Sequence, residues 1–140
     1  MRSVLVSLAA ILVGCAAAGP GAGPPEFDGA PVAILASDSG RLVVSVWTWP
    51  APLSRGVDAV RLRIADAAGA PVDGAAVTAT PWMPAHGHGT SVEPSVTPGG
   101  DGVYDVDDVL FYMDGRWELR TRIDVPGADA DTLVATFDVR

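Results

Sequence analysis

Lysine is missing altogether from this 140-residue chain: all 9 basic side chains are arginine, set against 17 acidic ones, for a net charge of −8. A chain so poor in positive charge lacks the basic patch that neutralises phosphates, which argues against nucleic-acid binding. It argues equally against peripheral docking on anionic lipid. The arginine-only usage fits a GC-rich genome and says little about mechanism. The acidic excess weakly favours a cationic ligand, but solubility explains it equally well. Cysteine is nearly absent. The single one, Cys15, lies in an export-type segment, so the remaining domain has no disulfide and depends on a packed core. Histidine is scarce as well, and both copies sit in one segment. No Ser–His–Asp grouping has motif context, and neither Gly-x-Ser-x-Gly nor a zinc-protease helix occurs. No phosphate-cradling Gly loop precedes a helix. With no second domain to form a cleft, hydrolytic or redox catalysis is not expected, and the protein reads as something other than an enzyme.

Residues 1–14 have the form of a signal peptide, with Arg2 as a short positive region and an apolar run from Val4 to Val13. That run is too short for a stop-transfer helix. It ends in Leu12-Val13-Gly14-Cys15, which resembles the bacterial lipobox, where the cysteine thiol is acylated and becomes the first residue of the mature protein. Cleavage after Ala16-Ala17-Ala18 is the competing reading. By the same resemblance, Ala16 in the position after the cysteine favours the outer membrane over the inner. Several acyl chains on one cysteine would anchor far more firmly than one. Residues 15–31 then form the lipidated cysteine and a flexible Ala/Gly/Pro tether, leaving 32–140 as one domain of roughly 110 residues, an ordinary size for a β-sandwich.

From Pro31 onward the period is two. Leu42 to Thr48 is a β-branched run between Ser39-Gly40 and Pro50. Val60, Leu62 and Ile64 alternate with outward arginines, and Gly69 to Ala75 is turn chemistry leading into a strand over Ala76 to Thr80. A strand begins at Gly102 after the Gly99-Gly100-Asp101-Gly102 turn. Its inward parity changes between Val106 and the series Val109, Phe111, Met113, which predicts a bulge or break near Asp107-Asp108. Asp114-Gly115 is the strongest hairpin signal. Beyond it Trp117, Leu119, Thr121 and Ile123 point inward, and the last strand turns Ala135, Phe137 and Val139 inward. With no credible helix after residue 31, the pattern predicts an all-β, immunoglobulin-like antiparallel sandwich of about seven strands.

One segment concentrates the chemistry: Pro81-Trp82-Met83-Pro84-Ala85-His86-Gly87-His88-Gly89-Thr90. His86 and His88, separated by a glycine, can direct two imidazoles at one centre, with Met83 three residues upstream and Met113 a further candidate. Thioether sulfur is soft and imidazole borderline, so such a set suits Cu(I), with histidine also accepting Cu(II). Structural zinc usually takes four His or Cys ligands and fits less well. Trp82 and Trp117 either flank this centre or serve the core. The alternative is a loop whose histidines satisfy backbone groups while Met83 and Met113 pack in the core. Asp105, Asp107 and Asp108 suggest calcium only weakly, because the EF-hand spacing and terminal Glu are missing; a charged edge that discourages aggregation is the simpler reading.

The ordered motifs Met83-Pro84-Ala85-His86-Gly87-His88-Gly89, Gly102-Val103-Tyr104 and Met113-Asp114-Gly115-Arg116-Trp117-Glu118-Leu119 resemble the YtkA-like family, which is related to FixH-like proteins. The upstream Gly69-Ala70-Pro71-Val72-Asp73-Gly74-Ala75 turn matches as well, and the resemblance spans roughly residues 40 to 140. It implies an extracytoplasmic immunoglobulin-like domain, often a lipoprotein, loosely associated with copper handling or respiratory-oxidase assembly. His86 stands where the common form of the signature has a second methionine. The site is thereby richer in imidazole, and selectivity for Cu(I) over Cu(II) is weakened. The expectation is a monomeric envelope lipoprotein, anchored in lipid through Cys15, that holds or passes on copper through His86, His88, Met83 and Met113. Its partner would be a copper-handling or oxidase-assembly protein. The alternative is a structural or partner-binding envelope module without metal.

Overall fold

Alternation of apolar and polar side chains builds two facing sheets. A computed structural model describes residues 24–140; the expected signal peptide, Cys15 and the first part of the expected tether lie outside the described residues. The strands are β1 (Ala33–Ala36), β2 (Leu42–Trp49), β3 (Gly56–Asp66), β4 (Ala76–Met83), β5 (His88–Gly89), β6 (Ser95–Gly100), β7 (Val103–Phe111), β8 (Gly115–Asp124) and β9 (Asp131–Val139). One sheet has five strands in the order β1-β2-β3-β7-β6, the other four in the order β5-β4-β8-β9. Every paired neighbour is antiparallel. This is the immunoglobulin-like sandwich that the pattern predicts, with nine strands instead of about seven. The short β1 and β5 and the proline-bearing β6 are the ones the sequence pattern understates.

The inward faces carry the expected residues. Val44, Val46, Val60, Leu62 and Ile64 of one sheet, and Trp117, Leu119 and Ile123 of the other, are fully buried. At about 25 cal/mol per Å² of apolar surface removed from water, such burial is the main stabilising term in a domain that cannot use a disulfide. Tyr104 lies in the same core and turns its hydroxyl to the connection between β3 and β4. It donates to the Val72 carbonyl at 2.9 Å and accepts from the Ala75 N–H at 3.1 Å. On the outer face of the five-stranded sheet Arg61 makes a two-pronged ion pair with Asp105 across the β3–β7 register, at 2.7 and 2.8 Å. The Arg61 guanidinium also lies 4.6 Å from the centroid of Phe27, and the Gly29 carbonyl accepts from the Trp47 indole at 3.1 Å. These two contacts seat the described end of the tether region on that face.

The parity change in β7 is a bulge, as predicted. Val106 pairs with Val60 but Val109 pairs with Asp58, so β7 carries one more residue than β3 there, and Asp108 takes a left-handed φ of 61°. Without that extra residue, period-two geometry would turn Phe111 outward. The hairpin expected at Asp114-Gly115 is not formed. β7 belongs to the five-stranded sheet and β8 to the four-stranded one, so Tyr112, Met113 and Asp114 cross between sheets over one end of the sandwich. The crossing follows from what both flanks bury. Phe111 and Trp117 each enter the core between the sheets, with ring centroids 5.4 Å apart.

Candidate metal centre

The His segment is a true hairpin at the edge of the four-stranded sheet. β4 ends at Met83, residues 84–87 turn, and His88-Gly89 pairs back as β5. The Met83 carbonyl closes the turn by accepting the N–H of His86 at 3.1 Å and of Gly87 at 2.9 Å. Gly87 has φ of 70°, the left-handed conformation that an L side chain resists. That one residue lets the chain present His86 at the turn and His88 one step later on the strand.

The two imidazoles meet edge to face, with ring centroids 5.4 Å apart at 82°. A metal about 2 Å from one nitrogen of each ring would lie roughly 3 Å from each centroid, which this separation permits. The separation of the pair is therefore compatible with a shared ion. His86 is exposed and His88 half-buried, so solvent reaches both.

The methionines sit deeper. Met83 is 3% exposed and belongs to the core, with its terminal methyl pressed toward Gly115: a Cβ on that glycine would come within 2.7 Å of Met83 Cε. Its register partner is His88, and cross-strand partners leave their strands on the same face. Met113 is half-buried against the core, and its carbonyl accepts from the Trp117 indole at 2.9 Å. The fold thus brings His86, His88, Met83 and the Met113 crossover to one end of the sandwich. Trp117 stands behind this end. Trp82 faces away from it, on the outer side of the sheet, under the Arg120 guanidinium at 4.6 Å.

Tyr112 is the residue that sequence reasoning does not single out. Its hydroxyl lies 2.8 Å from His88 Nδ1 and 3.3 Å from Nε2, and the two rings are stacked at 18°. On its other side it meets Trp117 edge to face at 5.5 Å. The only hint in the sequence is its place beside Met113. Among the described residues no three His, Cys, Asp or Glu side chains gather in a metal-binding group. Asp105 is engaged by Arg61, which leaves the weak calcium reading without a cluster.

The start of β3 adds a buried acid near this end, since Gly56 pairs with Phe111. Asp58 is 3% exposed, and its Oδ2 has no hydrogen-bond partner among the described residues. Burial pushes its carboxyl up to about 7, against the opposing pull of a hydrogen bond from the Ser54 backbone. At the far end Asp131 goes the other way, to about 2. Burial raises it, but hydrogen bonds from the Ser39 and Ser37 hydroxyls and the Ser39 and Thr132 backbone together outweigh that.

A solved structure similar to this fold is a DUF4426 family protein from Pseudomonas aeruginosa PAO1, with a TM-score of 0.53 and 17% identity over 71% of this chain and 90% of that one. At that identity the likeness speaks for the fold alone. No curated protein matches the chain in sequence. The YtkA-like family profile matches residues 43–122, from the second strand through the His hairpin and the crossover to most of β8. More than half of the chain carries the family's pattern, including every candidate ligand, and the chain belongs to the YtkA-like family.

Proposed function

We propose that this protein is a lipid-anchored envelope protein that binds copper at the His86–His88 turn and holds or hands on the metal without catalysing a reaction of its own. The observation that carries the proposal is the edge-to-face meeting of the chain's only two imidazoles at 5.4 Å, on an accessible turn at the same end as both mature methionines. Imidazole with thioether or oxygen donors suits copper, and Cys15 in its lipobox-like context would supply the anchor. A copper-handling or oxidase-assembly protein is the partner class that fits. The test is a competition titration of the full chain in detergent with Cu(I) and Cu(II), beside a His86→Ala/His88→Ala double variant. Stoichiometric binding tighter than micromolar, lost in the variant, is the expected result; binding indifferent to the substitutions refutes it. For the anchor, Cys15→Ala should move the protein from the membrane to the soluble fraction.

A second reading has its own observation. His88 already touches protein groups, with Nδ1 3.2 Å from the Gly89 carbonyl and 2.8 Å from the Tyr112 hydroxyl, as befits a turn that merely braces a sheet edge. On that reading the protein is a structural or partner-binding module, and it captures its partner equally well with and without copper.

A further inference from the structure

The copper reading leaves open which atom completes the centre. Two imidazoles from one turn seldom make a site alone, and no His or carboxylate joins them among the described residues. The remaining donors at this end are the two thioethers and one phenol. Resting on the copper site proposed above, we infer that Tyr112 is its third ligand, with the phenol oxygen joining one nitrogen each from His86 and His88 in a set that selects Cu(II).

Three observations carry this. The first is distance. Two donors about 2 Å from a metal and at right angles to each other are about 2.8 Å apart, and the Tyr112 oxygen lies 2.8 Å from His88 Nδ1. The same oxygen lies 3.3 Å from Nε2, between the directions of the two ring nitrogens, so binding requires a rotation of the imidazole that aims one nitrogen at an ion held beside the phenol oxygen. The second is access. Tyr112 is 40% exposed whereas Met83 is 3% exposed, so the phenol is within reach of an incoming ion and the Met83 sulfur lies in the core. The third is support. The Tyr112 ring rests against Trp117, which is fully buried and hydrogen-bonded to the Met113 carbonyl. The phenol ring is therefore backed by the core on one side.

The donor set decides the oxidation state. Thioethers favour Cu(I), whereas nitrogen and oxygen donors in a square arrangement favour Cu(II). On binding, the phenol O–H bond breaks, an O–Cu bond forms and the proton leaves to water; no electron is transferred.

Tyr112→Phe keeps the aromatic ring on Trp117 and removes only the oxygen, so the variant should keep the wild-type thermal midpoint. Wild-type protein titrated with Cu(II) should show a phenolate-to-Cu(II) charge-transfer band in the visible and release a proton. The Phe variant should lack the band and bind Cu(II) about tenfold or more weakly, with its Cu(I) affinity unchanged. Wild-type Cu(II) binding without the band overturns the inference while the copper site stands, even if the Phe variant is weaker, because the tyrosine then acts only by holding His88. Equal Cu(II) affinity in the Phe variant overturns it too. Absence of any copper binding by the wild type removes both the site and its third ligand.

Discussion

Replacing Asp58 with asparagine should abolish a large part of the pH dependence of stability between about pH 4 and pH 7. The carboxyl is buried with one oxygen unpartnered, and its folded-state value of about 7 lies well above the 3.8 of an ordinary aspartate. Over that interval the folded chain holds a proton that the unfolded chain has lost, so stability falls as pH rises and levels off above the folded value. The stabilisation is thus fully present below about pH 4 and gone above about pH 7. At about 1.4 kcal/mol per tenfold change in proton affinity, the interval amounts to on the order of 4 kcal/mol, a large share of what a domain this size has in total. Asp131, held down to about 2, contributes in the opposite sense: its stabilisation is present above about pH 4 and is lost as the pH falls toward 2. The two contributions together should therefore peak near pH 4. Urea unfolding followed by tryptophan fluorescence at half-unit pH steps measures this directly, and a loss of about 4 kcal/mol moves the midpoint by roughly 2 M. Asparagine adds a buried amide whose own cost does not vary with pH, so only the slope is diagnostic. Parallel wild-type and Asp58→Asn curves from pH 4 to 8 would refute the reasoning.

Other outcomes follow from the same geometry. Gly102→Ala should destabilise by at least about 2 kcal/mol, because φ is +74° and a Cβ would sit 2.3 Å from the Ile64 carbonyl oxygen; thermal unfolding checks this. Tyr104→Phe should cost about 1–3 kcal/mol by leaving the Val72 carbonyl and Ala75 N–H without their partner, with faster amide exchange confined to the β3–β4 connection. Met83→Leu, which preserves core volume, should cost less than about 1.5 kcal/mol, whereas Met83→Ala should cost about 2–5 kcal/mol. His86→Ala, at an exposed turn, should change stability by less than about 0.5 kcal/mol while weakening copper binding.

Much of the fold is written locally. Val60, Leu62 and Ile64, or Trp117, Leu119 and Ile123, alternate because one face of each strand meets the other sheet, and the same logic exposes the bulge where Val106 gives way to Val109. What local pattern does not carry is which sheet a strand joins. Turn chemistry at Asp114-Gly115 is compatible with a hairpin or a crossover, and the choice falls to long-range pairing of β8 with β4 and β9. β6 is obscured by Pro98, Gly99 and Gly100. It forms because it lies at a sheet edge, where a missing N–H can point away from the ladder. The site shows the same division. His86 and His88 are conspicuous as the only histidines, but Tyr112 reaches His88 only because the crossover lies over the same end as the β4–β5 turn, a coincidence of topology that no spacing in the sequence reveals.

That division bears on how the site would work. Closed structural metal sites supply the folding energy themselves, so that removing the ion unfolds the protein. Here the buried core is built from side chains other than the proposed histidine and tyrosine ligands. Trp117, Tyr104 and Phe111 are fully or almost fully buried, and the histidines and Tyr112 project from a turn and a crossover outside it. Copper would then stabilise the fold only by mass action, as the logarithm of its concentration over its dissociation constant, and its departure would remove that increment while leaving the core packing in place. In the proposed centre the rigid part would be the aromatic support behind Tyr112, and the accessible part the His turn, whose β5 arm is only two residues long. If copper binds as proposed, one firm donor and two on an open turn would suit a protein that gives its metal up as readily as it takes it.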